Sequence, residues 1–423
     1  MYLNSYLNLK NKEIYLLFYL FIFSFLIRIP SIFVFGDTNL ENEWKLLVSY
    51  LEEYGHLYSI LPRLVDATMS YSSLPTLNLN DLLVPNVFMP PLYAYYLYFF
   101  KFFNFNNELY ILVILFSQSL LSSISVVVFY HINKIFFSTK LSIISTLIFS
   151  LFPIHVYSCG QISSAILQTF LIVLFFYFFF KIIKKNNFFN IFFLSISSGL
   201  LILLRGEFIA FFLLSILYLG LFLKVNLKNI IIIIFLTAFV ISPYLARNII
   251  VLDTITITKS IGYNLWKGNN PGSNVEGNSR FDENIREEIK KVSKDNYYDV
   301  NVDKILLKHG LKSIKEDPVK YFILYIKKFL SFIFIDINST YFNYYHPLHY
   351  LPILFIGMTS VLGIILYDRN SLLMNYLILY FMTNIAIISI FFILPRYSLP
   401  ILPVQIIFSN IFFRYIGNKF FKT

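Results

Sequence analysis

Apolar runs, about the length needed to cross roughly 30 Å of hydrocarbon, recur along the chain between short polar turns and two long polar blocks. The first run, Ile14 to Phe35, follows Lys10 and Lys12. It lacks the short core and small-residue cleavage site of a signal peptide and reads as a retained span. A polar stretch from Gly36 to Met89 comes next, then Pro90 to Phe103, too short to span and opened by two prolines. That segment reads as a helix lying in the membrane interface. Further runs cover about Leu109–Tyr130, Leu141–Val156, Ile166–Phe180, Phe188–Leu204, Phe208–Leu223 and Ile230–Tyr244. After a second polar block, Ala246 to Pro318, the run Tyr321 to Ile335 carries Lys327 and Lys328 in its middle. Two ammonium groups at a helix centre are costly in lipid, so this run predicts an interfacial amphipathic helix. Spans at about Tyr350–Tyr367, Leu372–Ile393 and Leu399–Phe413 complete the pattern.

The pattern predicts an all-α polytopic membrane protein of about ten spans, with interfacial helices and a mixed extracytoplasmic loop region. An N-terminal membrane domain, 1–245, contains the first outer loop, 36–107. An outer loop region, 246–349, and C-terminal membrane helices, 350–423, follow.

Composition supports that class. Hydrophobic residues make up 57% of the 423 residues and charged residues 13%, against roughly 45–50% and about 25% in soluble domains. A soluble enzyme and a disordered protein are excluded. The net charge of +11 does not indicate nucleic acid, because the basic residues sit mostly between apolar runs. With the N-terminus inside, the cytoplasmic turns carry Lys134 and Lys140, Lys181 to Lys185, Lys224 and Lys228, Arg369, and Arg414 to Lys422. Both termini are then cytoplasmic and both long blocks lie outside. The single cysteine, Cys159, forms no intrachain disulfide.

Candidate chemistry collects in the outer segments. Asp37, Glu41 and Glu43 lie just after the first span. Carboxylates there suit a general base beside a lipid-borne substrate, or solvated acids at a helix start. Arg205, Arg247 and Arg396 fall at outer span ends. They suit a lipid phosphate or headgroup, or interface anchoring. His346 and His349 have a metal-compatible spacing, but a metal usually needs three or four ligands. No glycine-rich phosphate loop is present.

Taken in order, these segments resemble the membrane-embedded glycosyltransferases of the GT-C class. Within that class they are most similar to the group of protein O-mannosyltransferases and the lipid A aminoarabinose transferase. The resemblance rests on Glu41-Asn-Glu-Trp44, Pro90-Pro-Leu-Tyr93, Leu203-Leu-Arg-Gly-Glu207, Pro243-Tyr-Leu-Ala-Arg-Asn248, Gly262 to Pro271 and Pro395-Arg-Tyr-Ser-Leu-Pro400. It implies a GT-C-like fold and transfer of a sugar from a polyprenyl-phosphate donor to an acceptor hydroxyl on the extracytoplasmic side. The acceptor would be a lipid, glycan or protein. The resemblance implies an acidic base in the first outer loop, here Glu41, then Glu43, then Asp37. Arg205, Arg247 and Arg396 would meet the donor phosphate. Tyr93, Asn264, Trp266, Asn269 and Tyr397 would contact substrate. It implies a cell-envelope enzyme of a bacterial inner membrane; it fixes no cofactor and leaves a divalent metal ion open. A surface polysaccharide polymerase or ligase and a lipid-linked sugar flippase are the alternative readings.

Overall fold

The computed structural model describes residues 2–40, 42–60, 83–185, 187–293 and 295–420. The predicted apolar runs are largely helical, and one of them, Leu141–Val156, falls on two helices. The apolar runs fall mainly on α1 (Tyr2–Phe35), α4 (Asn107–Phe136), α5 (Thr139–Leu151), α7 (Ala165–Lys184), α8 (Phe188–Leu204), α9 (Phe208–Leu221), α10 (Leu227–Leu252), α15 (Pro347–Ile365), α16 (Leu372–Ser389) and α17 (Leu402–Phe420). Between them lie α2 (Asn42–Tyr54), α3 (Pro91–Phe99), α6 (Pro153–Tyr157), α11 (Ile261–Asn269), α12 (Glu283–Lys290), α13 (Tyr298–Glu316) and α14 (Pro318–Ile333).

Among the described residues, seven helical stretches are long and apolar enough to cross a membrane. They are Lys12–Phe35, α4, α7, α10, α15, α16 and Pro395–Lys419. The helix α5 and the segment Pro153–Gly160 form an eighth span only as a pair bent by 53°. The break is local: Phe152 is extended, and Pro153 opens the next helix, where its missing N–H costs nothing. With 17 and 14 residues, α8 and α9 extend about 25 and 21 Å at 1.5 Å per residue, short of a full crossing. The ten predicted spans thus comprise seven long helices, one bent pair and two short helices.

A buried polar cluster ties α1 to its neighbours. The Arg28 guanidinium, fully buried, donates from Nε to Ser122 Oγ at 2.8 Å and from one terminal nitrogen to Ser24 O and Ser24 Oγ, both at 2.6 Å. Its other terminal nitrogen lies 3.2 Å from His155 Nδ1, and His155 Nε2 lies 2.8 Å from Ser122 Oγ. The interior is therefore more polar than the apolar runs suggest. At the opposite end of α1, Glu13 pairs with Lys134 of α4 at 3.0 Å.

The outer layer combines a short antiparallel pair of strands, β1 (Tyr58–Ile60) and β2 (Leu83–Pro85), with α2 and α11 to α13. Tyr50, Val84, Trp266, Ile285, Ile289, Tyr298, Val302 and Leu306 form its own apolar core. The first segment expected at the interface forms α3, with Pro91 in its first turn, closing in a 3-10 turn at Phe100–Phe103. The second, α14, exposes Val319, Phe322, Ile323, Ile326 and Leu330, the three- and four-residue spacing of an amphipathic face. Of its adjacent lysines, Lys327 is exposed and Lys328 is buried.

Candidate functional site

A cavity of about 810 Å³ lies where the outer layer meets the helix ends. Its walls come from the start of α2, the approach to α3, the segment 162–168, the α8–α9 turn, α10, α11 and the segment 387–397. Much of the lining is apolar, including Ile209, Ala210, Ile241, Leu245, Ile387 and Phe391. Into this surface project three cations, Arg205, Lys267 and Arg396, and three carboxylates, Glu43, Glu207 and Asp299.

Local structure explains these placements. Arg205 closes α8 as its C-cap residue. Its guanidinium lies 5.0 Å from the Tyr397 ring centroid, a cation–π contact, and its buried Nε has no hydrogen-bond partner. Arg396 and Tyr397 belong to a 3-10 turn, Pro395–Ile401. Glu43 lies in the first turn of α2, and the next residue, Trp44, packs edge-on against Tyr93 at 4.9 Å. The Tyr93 hydroxyl donates to Gln118 Oε1 at 2.9 Å.

Asn264 and Lys267 of α11, with its N-cap residue Ser260, line the cavity, while Leu265, Trp266 and Asn269 are buried on the other side. The division follows helical period. Two glycines allow this helix its position. A Cβ on Gly262 would lie 1.9 Å from Asp303 O, and one on Gly268 would lie 2.0 Å from Phe391 O. The Lys267 amine sits 4.2 Å from the Phe392 ring centroid. Burial first, and then the charge of Arg396, lower its pKa from the usual lysine value, while Glu43 and Glu276 act in the opposite sense.

The predicted residues separate into groups. Glu43, Arg205, Arg396, Tyr93, Asn264 and Tyr397 line the one cavity. Arg247 does not line it: its guanidinium donates to Asn86 O at 3.0 Å, Leu57 O at 3.0 Å and Asn248 Oδ1 at 2.7 Å. Trp266 stacks on Phe281 at 4.6 Å inside the outer-layer core. Asn269 is buried and donates to Leu265 O and Ile390 O. Asp37 accepts from the Ile162 N–H at 2.6 Å, which orders the segment whose next residues, Ser163 and Ser164, face the cavity. Glu41 lies outside the described residues.

Lys267 and Asp299 are cavity residues that the sequence pattern does not single out. The available signal for Lys267 is its spacing of three from Asn264 on one helix face.

Among the described residues no three His, Cys, Asp or Glu side chains gather to hold a metal. His349 Nδ1 is bonded to Tyr344 O at 2.7 Å, and His346 caps α15. The described residues thus bring no three-ligand metal cluster together.

No protein-family model and no curated protein matches the chain. Solved structures do. The apo crystal structure of the Archaeoglobus fulgidus oligosaccharyltransferase is 12% identical, with a TM-score of 0.53 over 96% of this chain and 51% of that one. The archaeal oligosaccharyltransferase AglB from Archaeoglobus fulgidus, in complex with an inhibitory peptide and a dolichol-phosphate, gives 13%, 0.54, 96% and 51%. The A. fulgidus enzyme in complex with Zn and sulfate gives 13%, 0.52, 95% and 49%. The chain spans about half the length of these structures. At this identity the likeness shows the fold: an all-α, polytopic, GT-C-like architecture.

Proposed function

We propose that the protein is a membrane glycosyltransferase that moves a sugar from a polyprenyl-phosphate donor to an acceptor hydroxyl, on the extracytoplasmic side and with inversion. The observation that carries this reading is the cavity itself, where Glu43, Arg205 and Arg396 share one largely apolar chamber. Apolar walls suit a lipid chain, arginines suit a phosphate, and a carboxylate suits proton removal. The neighbour with a bound dolichol-phosphate has the same fold.

A lipid-phosphate sugar is already activated. In the proposed step Glu43 takes the proton of the acceptor hydroxyl as its oxygen bonds to the anomeric carbon. The bond from that carbon to the phosphate oxygen breaks, and its electron pair leaves with the polyprenyl phosphate. Arg205 and Arg396 stabilise the charge that gathers there. One direct displacement inverts the anomeric centre. Glu43 takes the base role in this proposal because it lines the cavity, whereas Asp37 holds the Ile162 backbone.

The test is sugar transfer in membranes containing the protein, from hexosyl and pentosyl polyprenyl phosphates and, in parallel, from nucleotide sugars. Transfer from a lipid-phosphate donor is expected. Glu43→Gln should lower it about 10²–10⁴-fold at unchanged protein level. Transfer from nucleotide sugars in lipid-depleted preparations would contradict the donor class, and full activity of Glu43→Gln would contradict the base.

A further inference from the structure

We propose that Lys267 is a third ligand of the donor phosphate, in the place that Arg247 does not fill, and that buried Lys328 is the residue that positions it. The proposal rests on the reading above, that the cavity takes a lipid phosphate.

Three observations support it. First, Lys267 lines the same cavity as Arg205 and Arg396, with its amine over the face of Phe392, another lining residue. Arg396 and Lys267 are like charges in a chamber that also holds the carboxylates of Glu43, Glu207 and Asp299, and an anion placed between the two cations is attracted to both. Burial is the main cause of the lowered Lys267 pKa and the charge of Arg396 the second.

Second, the backbone that carries Lys267 is held on several sides. Its carbonyl accepts from Asn278 N at 2.8 Å and from Ser273 Oγ at 2.8 Å. The next carbonyl, Gly268 O, accepts from Lys328 Nζ at 2.7 Å, and Asn269 Oδ1 accepts from the same amine at 3.1 Å. The Asn269 amide in turn donates to Ile390 O at 2.8 Å. The end of α11 is thereby fastened to α14 and to the chain just beyond α16. A flexible lysine side chain on a fixed backbone, resting on an aromatic ring, is a pre-organised cation.

Third, the alternative cation is already committed. Arg247 donates to two backbone carbonyls and one side chain between β1, the approach to α3 and α10.

The experiment compares two probes, a long-chain polyprenyl phosphate and the polyprenol of equal length, binding to the full chain in phosphatidylcholine nanodiscs. The ratio of their affinities is the readout. The wild type is expected to prefer the phosphate, and Lys267→Met to reduce that preference about ten- to hundredfold, the range of one hydrogen bond to a charged group. Lys267→Arg should keep most of the preference and so controls for folding. Lys328→Met, with Lys267 intact, should reduce the preference and raise the rate of amine acylation at Lys267, read by mass spectrometry. A wild type without preference for the phosphate overturns the lipid-phosphate reading itself. A wild-type preference that survives Lys267→Met overturns this proposal alone. An unchanged preference and acylation rate in Lys328→Met overturns the positioning role.

Discussion

The amine of Lys328 lies 2.7 Å from the carbonyl oxygen of Gly268, inside the outer layer and without solvent exposure. Its second acceptor is Asn269 Oδ1. A neutral amine has two hydrogens, which match these two acceptors. Burial lowers the Lys328 pKa from 10.5 to about 7. Between those values the unfolded chain binds more protons than the folded one, so stability rises with pH. The contribution is complete above the unfolded value and is lost as pH falls through the folded one. Thermal unfolding from about pH 7 to about pH 9 should therefore show the wild type gaining stability relative to Lys328→Met. Parallel curves for the two proteins would exclude this titration.

The Arg28 cluster predicts a purely structural defect. Arg28→Leu leaves Ser122 and His155 short of a partner deep in the bundle, at a cost of about 1–3 kcal/mol. Arg28→Lys should recover only part, because a point charge cannot fork to several acceptors. Unfolding in detergent checks the order: wild type, then Lys, then Leu. A leucine variant as stable as the wild type would show that the cluster contributes nothing net.

Close approach at α11 gives a steric prediction. Gly268→Ala places a methyl group 2.0 Å from the Phe391 carbonyl oxygen, and rigid backbone cannot yield cheaply. The expected cost is about 1–3 kcal/mol or more. Gly417, in α17, has nothing within 4 Å of an added Cβ. Gly417→Ala should be neutral or stabilising by up to about 1 kcal/mol. Thermal midpoints of the two alanine variants, measured side by side, test the contrast.

Arg205 and Arg247 should respond differently to the same substitution. Arg205→Ala removes a cavity cation and is expected to lower transfer per folded molecule with little change in stability. Arg247→Ala strips a donor from Asn86 O and Leu57 O, so it should lower the thermal midpoint and leave transfer per folded molecule nearly unchanged. Activity normalised to folded protein separates them, and the reverse pattern would reassign the two arginines.

Much of the fold was legible because apolar run length reports bilayer crossing directly. The bend at Phe152–Pro153 was less so, since a bent pair and a straight span have the same hydropathy. Arg205 and Arg396, which the sequence puts at span ends, line the cavity. Arg247 occupies a similar position, but the five donors of a guanidinium also bond carbonyl oxygens, and no local pattern distinguishes the two partners. Amphipathic spacing identified α14, yet Lys327 and Lys328 are adjacent, and only packing decides which one turns inward. Trp266 and Asn269 sit in the same short motif as Lys267, on the opposite side of a helix whose orientation depends on contacts distant in sequence.

The central claim is that the cavity lined by Glu43, Arg205, Lys267 and Arg396 takes a lipid phosphate. Its most direct test is photolabelling of the full chain in nanodiscs with a diazirine-bearing polyprenyl phosphate, followed by peptide mapping. The account predicts labels in the cavity-lining stretches 204–210, 255–267 and 387–397, suppressed by excess unlabelled polyprenyl phosphate and not by polyprenol. Labels confined to the outer helix faces, or equal suppression by polyprenol, would contradict it.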